Sequence, residues 1–596
     1  MYRAALLTTG AAVLVYYWLF SGTPQFKTPK QLNPQYEYII VGAGSAGAVL
    51  AARLSEDPTV SVLLLEAGED GSSYPHSHIP GLVPLLQLSS IDWQYKTVPQ
   101  QYSSYGLHNQ QSRWPRGKVL GGTSVLHYMV HTRGNSKDYD RWATERGCPG
   151  WSWKEVLPYF SKLESVQFSA DSALRGLHGP VGVNLAPSTK IGNSLIKAAE
   201  TLGLFFNLDY NSGHQQGISV SQLSILNGVR QSSYNSYLLP AMRTRNNLHV
   251  VTGAHVTKVS FDEDKRATGV DYVFAGQRHR VLTNREVVLS AGAVNSPQIL
   301  MLSGIGPLNH LEENDIPIVL HSPHVGQNLK DHMISALYYA TTDGSAVINS
   351  RNLVKLGFSA VFDYLMKGQG VLSHSSIEKL LFLSSGLSNY ESDLQIYYFP
   401  LDPFAEGRFS HLVNLREEVW PASISELRDD QHPFMLLVSL NHPESTGYIR
   451  LNKSDPTGPP LIDPQYLKEQ NDVDVLVKGM TVAHKLASSE PLKPFNVQST
   501  EGVLPGCEGH SILSEEWFAC SVRTTATTVY HPMCTCRMGP ANVEQAVVDS
   551  KLRVNGVKGL RVVDASVFPD TVSGNTNIPV MMLAEKAADI VKQEWK

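Results

Sequence analysis

At 596 residues the chain is longer than a single hydrophobic core supports, so at least two domains are expected. Hydrophobic residues make up 42 % and charged residues 17 %, which suits a large, well-buried globule and excludes a disordered chain. Lys plus Arg number 49 against 54 Asp plus Glu, a net charge of −5 with no basic run, so no nucleic-acid partner is expected.

The first predicted element is residues 4–20 (AALLTTGAAVLVYYWLF), uncharged and 17 residues long. That is the short end of a bilayer span, and with a poor small-x-small cleavage site it reads as a retained membrane anchor rather than a removed signal. Residues 23–34 form a Pro-punctuated linker. Arg3 on one flank and Lys27 and Lys30 on the other leave the orientation open. The expected setting is the endoplasmic reticulum, the secretory pathway or secretion.

Tyr36 to Val41 is a short apolar strand, followed directly by Gly42-Ala43-Gly44-Ser45-Ala46-Gly47 and a helix-forming run to Leu54. Gly42 permits the tight turn, Gly44 lets the backbone approach a pyrophosphate, and Gly47 lets helix and strand pack closely. Ser45 and Ala46, at the helix start, offer amide donors to phosphate. A second strand, Val60 to Leu65, ends at Glu66, 19 residues after Gly47. An acid there can accept adenosine ribose hydroxyls and would repel a 2′-phosphate. The unit points to a non-phosphorylated dinucleotide, with NAD and FAD both open on this evidence. A purely structural glycine turn is the lesser reading.

Two later stretches are also glycine-rich. Arg116-Gly117-Lys118-Val119-Leu120-Gly121-Gly122-Thr123-Ser124-Val125-Leu126-His127 is one, and Gly292-Ala293-Val294-Asn295-Ser296-Pro297 running on to Gly304-Ile305-Gly306 is the other. With the first fingerprint, Val325 to Leu329 followed by Asp331-His332, His531-Pro532, and Ser573-Gly574-Asn575-Thr576-Asn577, the chain resembles the glucose–methanol–choline (GMC) family of FAD-dependent oxidoreductases. The match runs in the family's order from Tyr36 almost to the C-terminus, nearest in pattern to choline-dehydrogenase-like and insect glucose-dehydrogenase-like members.

The resemblance implies an α/β fold: a Rossmann-like FAD-binding domain (36–160, 227–331 and 530–596) and a discontinuous substrate-binding domain (161–226 and 332–529) on a large mixed or antiparallel sheet. It implies FAD as cofactor, a small-molecule alcohol as substrate, and a quinone-like acceptor or oxygen to reoxidise the flavin. By the same correspondence His531 is the catalytic base and Asn577 the amide that holds the substrate oxygen. Gly42, Gly44, Ser45, Ala46, Gly47, Glu66, Gly117, Gly121, Gly122, Thr123, His127, Val256, Asp564, Ala565, Asn577 and Ile578 are implied to hold the cofactor. No metal is expected. A flavin-bound lyase without net redox, and a member that has lost catalysis, remain as alternatives.

Three departures from the family pattern stand out. His127 replaces a common asparagine, His131 an aromatic residue or alanine, and Cys534 a glycine, where a bulkier side chain could reshape the pocket. Five cysteines do not make a disulfide framework. Cys534 and Cys536 are expected to be buried thiols. Cys507 and Cys520 could bridge in an extracytoplasmic protein, though nothing in the sequence brings them together.

Overall fold

The computed structural model describes residues 26–347, 350–400, 408–422, 427–428, 430–540, 543 and 545–596. The apolar segment 4–20 lies outside them. Among the described residues no helix is long and apolar enough to cross a membrane.

Two seven-stranded sheets organise the chain. In the first, Gln35–Val41 lies between Val62–Leu65 and Gln277–Leu289, parallel to both, and Leu248–Val251 extends the parallel side. Gln277–Leu289 is long enough to change partners. Its early residues pair antiparallel with Ala267–Phe274, its later ones parallel with Gln35–Val41 and Leu560–Val562. Ala254–Phe261 closes the antiparallel side. Ile39, Ile40 and Leu63 to Leu65 are buried on both faces, as strands covered on each side by helices must be.

Helix Ser45–Leu54 covers the central strand, and the C-terminal helix Asn577–Glu594 packs on it. The two are tied by Arg53 to the fully buried Glu585, whose carboxylate also accepts from Tyr237 Oη at 2.7 Å. A carboxylate buried this deeply is stable only with such partners. The C-terminus thus folds back beside the first glycine turn, a return that the sequence could not itself show.

The second sheet is antiparallel throughout: Gln498–Ser499, Met333–Thr341, His432–Leu440, Leu394–Phe399, Lys379–Leu383 and Gly217–Val220 in spatial order, with Thr527–Thr528 also pairing Met333–Thr341. The α/β architecture expected from the sequence is the one observed.

Candidate active site

A cavity of about 560 Å³ runs between the two sheets. At its first-sheet end Gly42 has φ +95°, and a Cβ on Gly47 would sit 1.8 Å from the Gly42 carbonyl oxygen, so both positions require glycine. The second glycine segment folds over this turn. Gly121 N–H donates to Ala43 O at 2.8 Å, and a Cβ on Gly122 would come within 2.6 Å of Gly44 Cα. Gly117 N–H donates to Thr123 Oγ1 at 3.1 Å, and a Cβ there would lie 2.1 Å from the Gly122 carbonyl carbon. Two backbones in contact leave a floor without side chains, which suits a pyrophosphate.

Glu66 closes the second strand. Its carboxylate oxygens accept from Ala43 N–H and Gly68 N–H, each at 2.8 Å, and burial pushes its pKa up to about 7. Each oxygen keeps a further lone pair, and Glu66 lines the cavity with Val256. Asp564 accepts from Gly292 N–H, Ser296 Oγ and Ser566 N–H at 2.9, 2.5 and 2.8 Å, joining the third glycine stretch to Ala565. Gly42, Gly44, Ser45, Ala46, Gly117, Gly122, Thr123, His127, Asp564, Ala565 and Asn577 all line the cavity. Gly47, Gly121 and Ile578 are packed behind its wall.

His127 Nδ1 accepts the Met129 amide at 2.8 Å, so the ring proton sits on Nε2, a buried donor with no protein partner. Burial, then the Arg230 charge, push its pKa down to about 3, so the ring is neutral. Arg230 holds it from behind, donating to His127 O at 2.6 Å and Ser77 O at 2.8 Å. His131 lies away from the cavity, fully buried beside Glu164, which also pairs with Arg133 and Arg175.

At the other end stands His531, only 8 % exposed. Its backbone N–H donates to Asp331 Oδ1 at 2.9 Å, and Tyr466 Oη donates to the other oxygen of that carboxylate. Its Nδ1 is 3.0 Å from His332 Nδ1, and its Nε2 is 3.2 Å from Asn575 Nδ2. Asn575 Oδ1 faces Thr132 Oγ1 at 3.5 Å and Tyr397 Oη at 3.3 Å, a hydroxyl whose one hydrogen is shared with Gln395 Oε1 at 2.9 Å, and the amide nitrogen faces His531. An amide donor facing Nε2 requires a lone pair there, so the His531 proton is on Nδ1 and donates to His332. Burial, with the neighbouring His332, Arg116 and His127, holds the His531 pKa well below the ordinary imidazole value.

Asn577, the amide expected from the sequence to hold the substrate oxygen, makes a different contact. Asn577 is the first residue of the C-terminal helix, and its Oδ1 accepts from Ser45 Oγ at 2.7 Å, on the glycine-turn side. Asn575, two residues earlier in the loop, makes the His531 contact. His332 is the other residue missed: the Asp331-His332 pair was visible as a motif, but nothing in the sequence paired it with His531. Cys534 does not reshape the cavity. It is buried outside the lining with φ +72°, the conformation that makes glycine usual there. Cys507 and Cys520 are joined as a disulfide, and Cys534, Cys536 and Cys148 are buried free thiols.

Residues 36–334 and 443–584 match the models of the N-terminal and C-terminal parts of the GMC oxidoreductases. The chain is a GMC oxidoreductase. It is 36 % identical over 578 residues to a glucose dehydrogenase [FAD, quinone] of Drosophila pseudoobscura pseudoobscura, covering 94 % of this chain and 88 % of the relative. It is 36 % identical over 569 residues to mouse (Mus musculus) mitochondrial choline dehydrogenase, covering 94 % and 89 %. The crystal structure of pyridoxine 4-oxidase from Mesorbium loti superposes with a TM-score of 0.78 at 28 % identity over 94 % of this chain and 99 % of that one. As a GMC oxidoreductase the protein is an FAD-dependent enzyme acting on alcohols. The side-chain-free floor at Gly44 and Gly122 and the unpartnered His127 donor fit that cofactor.

Proposed function

We propose that the protein oxidises the CH–OH group of an alcohol to a carbonyl, with His531 as base and Asn575 as the group that holds the oxygen. The reading is carried by the convergence of His531 Nε2 and Asn575 Nδ2, 3.2 Å apart, on one point of the cavity wall. An alcohol hydroxyl entering there donates its proton to Nε2 and accepts from Nδ2. That second contact strengthens as negative charge grows on the oxygen. His531 needs no prior deprotonation at neutral pH, because burial already disfavours its charged form. After proton transfer both ring nitrogens bear hydrogen, and Nδ1–H remains held by His332.

When bound, FAD supplies the two-electron acceptor for the carbinol hydride and is reoxidised by a quinone-like acceptor or oxygen. Around it, Gly42, Gly44, Ser45 and Ala46 would hold the pyrophosphate, and Glu66 and Val256 the adenosine. Gly117, Gly122, Thr123, His127, Asp564, Ala565 and Asn577 would hold the remainder. The Cys507–Cys520 disulfide supports an oxidising, secretory-pathway setting.

The test is anaerobic addition of an alcohol to the yellow holoenzyme, expected to bleach the flavin absorbance and release one carbonyl product per flavin. A flavin that stays oxidised while the alcohol is consumed would overturn the reading in favour of a lyase.

A further inference from the structure

The wall of the cavity around His531 comes from the second sheet. Strand alternation puts Tyr397 and Phe399 on one face, and the antiparallel register sets them opposite Leu437 and Met435. Ile334 and Leu412 extend this wall, and Tyr128 packs edge-on against Phe399 at 6.1 Å. The rim is apolar too: Leu85 lines the cavity and is 42 % exposed.

Charge is distributed the other way. Among the described residues that line the cavity, the only carboxylates are Glu66 and Asp564, both at the first-sheet end and both engaged by backbone amides. The Arg116 guanidinium also lines the cavity and donates to Tyr530 O at 2.6 Å, whereas the Asp331 carboxylate beside His531 lies behind the lining, engaged by His531 N–H and Tyr466 Oη. A quaternary ammonium would meet aromatic faces there without a counter-ion in the lining and with a cation beside it.

Hydrogen-bonding capacity is equally concentrated. Asn575 Oδ1 faces Tyr397 and Thr132, and the Tyr530 hydroxyl meets Gln87. Beside His531 the cavity offers His531 Nε2 and Asn575 Nδ2, which together suit one hydroxyl. A sugar would bury several others without partners, each at a cost.

We propose that the substrate is an uncharged, largely apolar alcohol, a medium- or long-chain aliphatic, aromatic or terpenoid one, recognised through a single hydroxyl, and that choline-like cations and free sugars are poor substrates. This rests on the alcohol-oxidising reading of the same site.

The experiment measures kcat/KM of the holoenzyme, with a soluble quinone as acceptor, for straight-chain primary alcohols from ethanol to decanol, benzyl alcohol, geraniol, choline and glucose. Burial of successive methylenes in an apolar wall is expected to raise kcat/KM roughly threefold to fourfold each until the chamber is filled. Choline and glucose should fall at least about a hundredfold below decanol. Leu437→Glu should lower decanol at least about tenfold, with flavin retained and reducible by dithionite. Choline or glucose turning over as well as decanol would overturn the substrate class and leave the alcohol chemistry intact. Failure of every alcohol to bleach a flavin that dithionite reduces would overturn the chemistry itself.

Discussion

Replacing His332 with phenylalanine isolates the tautomer of the base. His332 is fully buried, and its Nδ1, 3.0 Å from His531 Nδ1, is the acceptor that keeps the His531 proton on the far side from the cavity. Phenylalanine keeps most of the ring volume and removes that acceptor. The His531 Nδ1–H is then buried unsatisfied at a cost of about 1–3 kcal/mol. The alternative is for the proton to move to Nε2, where it would occupy the lone pair that must accept the hydroxyl proton. Either outcome depletes the base-competent form, by about 5- to 150-fold on that scale. Stopped-flow flavin reduction under anaerobic conditions should slow by this factor, with flavin content unchanged. His332→Asn, whose amide oxygen can accept from Nδ1–H, should recover most of the rate, which a general packing defect would not allow. A wild-type rate in His332→Phe would refute the tautomer assignment.

Asn575→Ala should cut flavin reduction by about 10²- to 10³-fold, the scale for losing one donor to a developing oxyanion. Asn577→Ala, which frees Ser45 Oγ, should weaken flavin retention with turnover per bound flavin little changed; the opposite pattern would restore Asn577 as the oxygen-holding group. Gly122→Ala places a Cβ 2.6 Å from Gly44 Cα at φ +52° and should yield colourless protein, so full flavin occupancy in its visible spectrum would contradict the proposed floor. The acid limb of kcat/KM should lie below the usual imidazole value near 6.5, because a base with a depressed pKa stays deprotonated as the pH falls through that value. Arg116→Gln should move it upward, and a wild-type limb at or above 6.5 would oppose this. Cys520→Ser opens a loop with a sequence separation of 13 and should lower stability by about 3 kcal/mol in thermal unfolding; no change in Tm would show that the bridge does not constrain the unfolded chain.

The first sheet and its nucleotide turns were legible because their signal is local. Strand, glycines, helix, second strand and Glu66 follow one another within about thirty residues, and each glycine answers a steric demand of its own turn. The chemistry was legible as motifs but not as contacts. Asn575 and Asn577 differ by two positions, and only the start of the C-terminal helix turns one toward His531 and the other toward Ser45. His332 and His531 are 199 residues apart, and no periodicity links the strand start that carries one to the loop that carries the other. The apolar wall has the same origin: Phe399, Met435 and Leu437 read as ordinary strand residues until pairing sets them on one face. The Cys507–Cys520 bridge likewise needed the docking of helix Glu515–Thr525 to bring the two thiols together.

The most direct test is an anaerobic titration of flavin absorbance with decanol in the wild-type enzyme and in His531→Ala. The wild type should bleach within the turnover time, whereas His531→Ala, equally yellow, should bleach about 10²- to 10⁴-fold more slowly. Bleaching of His531→Ala at the wild-type rate would show that the alcohol proton leaves by another route and that the base has been misassigned.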